Sequence, residues 1–293
     1  MFGCNDGYSH TLAQLITVSF HQIHNCYSNM KKRFLTLAAL TLLFAGMNSC
    51  SKNDPTSTNE LGLSADIKAK ITALGFGAEE AFAVEGGYIV ENDIFIATED
   101  LNKPMDLAHS LIVGNEEQYR TTNLVTGLPR TITVSFDTKF SANAKASIRA
   151  AIARYNAENL QLTFSEVGSG GNIHIQRVNG GNYIASAGFP SGGNPYSTVK
   201  FNKTYENYSL GFVTSVIAHE VGHCIGFRHT DYMDRSYSCG GAPTNEGDGG
   251  VGAIHIAGTP TAADPNSWML ACIGASNDRP FNGNDKTALS TLY

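Results

Sequence analysis

Between residues 130 and 137 the chain reads RTITVSFD, with Ile132, Val134 and Phe136 alternating with Thr131, Thr133 and Ser135. A period of two predicts a half-buried strand. The next stretch, SANAKASIRAAIARYNAEN, changes period: Ile148, Ala151, Ile152 and Tyr155 fall at i, i+3, i+4 and i+7, and Ser141 stands where a helix N-cap is needed. LQLTFSEV (160–167) and NIHIQRV (172–178) predict two more strands joined by a turn at GSGG, and YSTVKFN (196–202) a fourth, more polar strand. An apolar helix follows, with Val213, Ile217, Val221 and Ile225 on one stripe, then a long Gly- and Pro-rich stretch without periodicity. NDKTALSTLY closes the chain as a terminal helix through Ala288, Leu289 and Leu292. Upstream, residues 61–127 carry weaker signals, the clearest being GGYIVENDIFIATEDL (86–101), where Ile89 and Ile94–Ile96 predict hairpin strands. By itself the pattern gives only mixed strands and helices without a repeat, with a principal domain over 128–293.

Composition alters the picture mainly at the ends. The 293 residues are 42% hydrophobic and 16% charged, enough for a real core. The formal charge of −6 and the absence of a basic run beyond residues 31–33 exclude a nucleic-acid footprint. That short run matters in another way: Lys31, Lys32 and Arg33 follow Met30 and precede an apolar stretch, Phe34 to Gly46, that ends before Ser49-Cys50. This is the layout of a secretory signal, with an apolar stretch too short to span a hydrocarbon core of about 30 Å. Ser49-Cys50 resembles the lipobox of bacterial lipoproteins, in which the cysteine carries lipid; Met47 and Asn48 depart from its commonest form. The expected organisation is an upstream artefact at 1–29, a signal at 30–49, a tether at 50–60 beginning with the lipid anchor Cys50, a small and propeptide-like region at 61–127, and the main domain. Beyond residue 49 the chain carries 17 basic against 25 acidic residues. Export to the bacterial cell envelope, or secretion, permits one disulfide among Cys224, Cys239 and Cys272, with three pairings open.

The chemistry is concentrated in HEVGHCIGFRH, His219 to His229. On a helix, His219 and His223 lie one turn apart on the same face, so both imidazoles reach one metal, while Glu220 sits about 100° further round. Gly226 is suited to a left-handed helix end, which returns the chain so that His229 supplies a third nitrogen. Three histidines leave a tetrahedral position open for water, the pattern of a catalytic zinc. From this composition, HExxHxxGxxH arises by chance on the order of 10⁻⁵ times in such a chain.

HExxHxxGxxH is the metzincin signature, and Met269 in PNSWMLACIG resembles the metzincin Met-turn. HEVGHCIGFRHTD, GAIHIAGTP and DPNSWM together resemble the dual-action HEIGH metallopeptidase family over roughly 130–293. The resemblance implies an α+β fold, a metzincin-like catalytic domain: a twisted mixed sheet, an active-site helix and an irregular C-terminal subdomain carrying the Met-turn. It implies a zinc endopeptidase in which His219, His223 and His229 hold one zinc and Glu220 is general base, acting on extended polypeptides. AGFPSGGNPYSTVKFN is similar to the upper rim of matrixins without the histidines of their second zinc, and the place of the Met-turn tyrosine is Ala271. YSTVKFN is the candidate cleft-edge strand.

Four further residues or segments carry weaker expectations. His174 and His255 read as strand residues rather than ligands, Asp231 as either a partner orienting a histidine or a surface acid, and residues 245–252 as a flexible loop, with calcium a lesser alternative. The rival to an enzyme is a silent zinc-containing adhesion module, against which Glu220 argues, since a structural site needs no such carboxylate. No cysteine lies between Cys50 and Cys224 to cap the metal from the N-terminal region; an acid such as Asp93 could.

Overall fold

A computed structural model describes residues 62–102, 118–247, 250–260 and 264–293. The leader, Cys50 and the tether lie outside the described residues. The main sheet is ordered β6-β5-β7-β9-β8, from β5 (Arg130–Phe136), β6 (Leu162–Glu166), β7 (Ile173–Val178), β8 (Ala185–Ser186) and β9 (Thr198–Asn202). Four strands are parallel; β8 alone runs antiparallel, against β9. One expectation changes here. YSTVKFN forms β9, which is internal, so the sheet edge beside the site is β8, too short to show a period of two. The GSGG turn joins β6 to β7 as expected and carries the chain from one side of β5 to the other, the near ends of both strands lying level with Val134. Gly171 makes that crossing possible: a Cβ there would stand 2.6 Å from the Ser135 nitrogen.

Two helices pack on this sheet. Helix α2 (Ala142–Asn156) starts at the Ser141 N-cap, whose hydroxyl accepts from the Ala144 N–H at 3.2 Å. Helix α3 (Leu210–Ile225) carries the HEVGH segment and is buried from Phe212 to Ile225. Ile132, Val134, Ile148, Tyr155, Ile173, Val199, Phe201, Val213 and Ile217 form the shared core. Each such side chain contributes about 1.5–3 kcal/mol of burial free energy. The Tyr155 hydroxyl donates to the Ala218 carbonyl at 2.7 Å, fixing α3 against α2 one residue before His219.

The chain beyond α3 is irregular, as expected. It contains a short helix, α4 (Ser236–Cys239), and β10 (Ile254–His255), which pairs with β4 (Tyr119–Arg120). It ends in α5 (Gly283–Leu292), where Asn282 and Asp285 form a reciprocal capping box. Cys239 and Cys272 are disulfide-bonded and Cys224 is buried in α3, which selects one of the three pairings.

The N-terminal segment folds as α1 (Ala65–Ala73) and an antiparallel sheet of β1 (Phe82–Val84), β2 (Gly87–Val90) and β3 (Ile94–Ala97), including the expected hairpin. Its apolar cluster, with Ile71, Phe76, Ile94 and Ile96, packs on Phe189 and Val251 of the main domain. No helix among the described residues is long and apolar enough to cross a membrane.

Candidate metal centre

Helix α3 presents His219 and His223 one turn apart, with their Nε2 atoms 3.0 Å from each other. The helix ends where expected, at Gly226, whose φ is 111°. The Gly226 N–H donates to the Gly222 and His223 carbonyls, and the Phe227 N–H to Gly222. This left-handed cap, with no room for a Cβ beside Leu124, turns the chain back so that His229 joins the pair.

Each imidazole has its other nitrogen tied off. His219 Nδ1 is 2.9 Å from the Trp268 carbonyl and His223 Nδ1 is 2.9 Å from the Phe227 carbonyl. His229 Nδ1 is 2.8 Å from the Glu246 carboxylate. A carbonyl can only accept, so Nδ1 carries the proton in the first two rings and their Nε2 lone pairs face inward. The Met-turn therefore acts through its backbone as well. Trp268 orients His219, and the Met269 carbonyl accepts from the Thr230 N–H next to His229, at 2.9 Å. Met269 is fully buried beneath α3, where a Cβ on Gly222 would stand 2.6 Å from its sulfur.

A fourth group completes the cluster. Asp93 Oδ2 lies 3.1 Å from His229 Nε2 and 3.4 Å from His219 Nε2. The ligand atoms of Asp93, His219, His223 and His229 all fall within 4.8 Å of one another. Tetrahedral zinc with bonds of about 2.0–2.1 Å requires ligands roughly 3.3 Å apart. Separations of 3.0, 3.1 and 3.4 Å bracket that value, so the residues fit a zinc ion. The fourth position, expected to be open to water, faces a carboxylate here.

Electrostatics agree with a site built for a cation. Burial pushes His223 well below the usual imidazole range, and His219 and His229 add to that. Burial also opposes a charged His229, but the Asp93 and Glu246 carboxylates outweigh it and hold its pKa well above the ordinary value. Burial, with Asp93 nearby, raises the Glu220 carboxyl. Glu220 lines a cavity of about 360 Å3 beside His219, and its buried Oε2 has no hydrogen-bond partner. Tyr183, Tyr205, Ile273 and Arg279 line the same cavity, as does Ala271 in the place of the Met-turn tyrosine. The phenols come from other segments.

Two sequence expectations need correction and a third holds. Asp231 orients no histidine: it is buried and accepts from the Ser238 hydroxyl and the Ala271 N–H, tying the disulfide-bearing segment to the Met-turn. Residues 245–247 form no loose loop, since buried Glu246 pairs with His229 and Arg235. The signal missed was that acid in NEGDGG. His174 and His255 lie on β7 and β10, bonded to Ser135 and Thr259, and belong to no metal cluster among the described residues.

A family model described as dual-action HEIGH metallo-peptidase matches residues 88–293, and so takes in part of the N-terminal hairpin as well as the main domain. Among solved structures the chain is similar to myroilysin. One structure of it shows 16% identity over 58% of this chain and 82% of that one, with a TM-score of 0.40; another shows 15% identity over 79% and 98%, with a TM-score of 0.41. It is also similar to high choriolytic enzyme 1, a hatching enzyme zinc-protease from the medaka fish Oryzias latipes, at 14% identity over 55% and 88% and a TM-score of 0.36. No curated protein sequence matches. On the match that runs from Tyr88 to the last residue, the chain belongs to the dual-action HEIGH metallopeptidase family and is a zinc metalloendopeptidase.

Proposed function

We propose that His219, His223 and His229 hold a single catalytic zinc and that Glu220 moves the proton in peptide-bond hydrolysis. The observation that carries this reading is the convergence of three Nε2 atoms whose Nδ1 partners are all engaged. When bound there, zinc supplies Lewis acidity towards water and a carbonyl group. Glu220 takes the proton of the attacking water and delivers it to the leaving amine. Its unpartnered oxygen suits that task, since it faces the cavity beside His219 with no other group to hold it. Arg279 in the cleft is partly desolvated, and its guanidinium is bonded to the Cys272 carbonyl, which leaves further N–H groups for an acidic substrate side chain.

Metal analysis and an unbiased peptide library test this together. One zinc per chain is expected, near zero in His223→Ala, with cleavage enriched beside Asp or Glu and that enrichment lost in Arg279→Gln. A wild-type chain that binds zinc and cuts nothing, even after limited proteolysis of its propeptide-like region 61–127, would be a silent adhesion module instead.

Export with a lipid on Cys50 is part of the same proposal. The Lys31–Arg33 run, the apolar stretch and Ser49-Cys50 support it, as does a disulfide, which persists in oxidising compartments. Detergent partitioning and intact mass should both change in Cys50→Ala; a soluble wild type with unmodified Cys50 overturns it.

A further inference from the structure

The N-terminal hairpin is placed where a substrate would have to go. Its three-residue loop, Glu91-Asn92-Asp93, has φ of 54° at Glu91 and 70° at Asn92, two successive left-handed residues that are not glycine. Such conformations are costly and persist only where the surroundings over-determine them. Here the main chain on either side of the loop tip is clamped to the sheet edge. The Ala187 N–H donates to the Asp93 carbonyl at 3.0 Å, and the Phe95 N–H donates to the Ala187 carbonyl at 2.8 Å. Lys200 Nζ sits 3.9 Å over the Phe95 ring. Glu91 Oε2 approaches Arg228, the neighbour of His229, at 3.7 Å.

We infer that this hairpin is an internal inhibitor, with the Asp93 carboxylate as a fourth metal ligand and β3 covering the cleft edge; the inference rests on the three-histidine zinc reading. An ordinary ion pair does not explain the arrangement. Asp93 is drawn to two imidazoles that also face a third, and its Oδ1 is buried with no hydrogen-bond partner, an atom left over for a cation. The hairpin also escapes cleavage by its own site, because it offers the histidines a side-chain carboxylate and keeps the Asp93 peptide carbonyl bonded to Ala187. A substrate needs both the fourth position and the free edge of β8. The hairpin takes both, so activity requires its removal or displacement.

Cobalt(II) loaded into the full chain gives a readout independent of turnover. The wild type, Asp93→Asn, Asp93→Ala and, as a control, Glu79→Gln, an exposed acid of the same segment, are compared. Visible spectra and the affinity for acetohydroxamate, a small chelating anion, are measured, alongside melting temperature to verify folding. Both Asp93 variants should show an altered cobalt spectrum, at least tenfold tighter acetohydroxamate binding and at least tenfold faster peptide hydrolysis, while Glu79→Gln follows the wild type. Folded Asp93 variants with one cobalt per chain and unchanged spectra and affinities overturn the inference and leave the zinc reading intact. Cobalt failing to bind the wild type overturns both.

Discussion

Both carboxylate oxygens of Glu246 face Nδ1 of His229, at 2.8 and 3.0 Å, in a setting from which water is excluded. The same carboxylate lies 3.1 Å from the Arg235 guanidinium, so a buried cation holds it as well. An acceptor fixed in this way sets the ring's tautomer and orientation and raises its basicity as a ligand. Glu246→Gln preserves the shape and removes the charge. It should weaken zinc affinity by about 10–100-fold in chelator competition. An unchanged affinity would mean that His229 needs no such support.

Glu220→Ala separates proton transfer from metal binding. Measured in an Asp93→Asn background, zinc content and melting temperature should stay near their starting values, because three nitrogens remain. Hydrolysis should fall by about 10²–10⁴-fold. Zinc lost along with activity would instead make Glu220 part of the binding set.

Gly222 and Met269 form a matched pair, since a Cβ at 222 would come 2.6 Å from the methionine sulfur and 3.2 Å from Trp268 Nε1. Gly222→Ala should cost about 1–3 kcal/mol in urea unfolding, as overpacking does. With Met269→Ala already present, the added cost should shrink; strictly additive effects would show that the contact relaxes elsewhere.

Asp285 carries a pH signature. Burial raises its pKa from 3.8 to about 6, against the bonds it accepts from the Asn282 and Trp268 N–H groups. A raised carboxyl binds its proton more tightly in the folded than in the unfolded chain, so it stabilises the fold as pH falls through 6 towards 3.8, and that contribution is gone above 6. Comparing wild type with Asp285→Asn, the wild type should gain about 1 kcal/mol on the variant between pH 7 and pH 5. Parallel stability profiles would refute the assignment.

What could be read in advance was local. The 3.6 period of Ile148, Ala151, Ile152 and Tyr155, the Ser141 cap, and three histidines within eleven residues around a Gly226 helix end all lie inside one element or its immediate exit. What escaped was contributed from afar. Trp268 reaches His219 across 49 residues and Glu246 reaches His229 across 17; Asp93, 136 residues from His229, was legible only as an acid able to cap the metal. No periodicity reports such meetings, which depend on loop paths. YSTVKFN suggested an edge because it is polar; its half-buried Thr198 and Lys200 occupy an internal strand, while the two-residue β8 that forms the edge is too short to show any pattern.

The Ala187 pairing has a consequence for how the protein is kept before use. A bare sheet edge is a template on which any extended chain, including another copy of the same molecule, can add a strand. While Phe95 and Asp93 occupy the Ala187 N–H and carbonyl, that template is closed to strangers. Whatever frees the cleft for work also exposes an adhesive margin, so the working form should be the one that self-associates at high concentration, and the stored form the one that stays monodisperse.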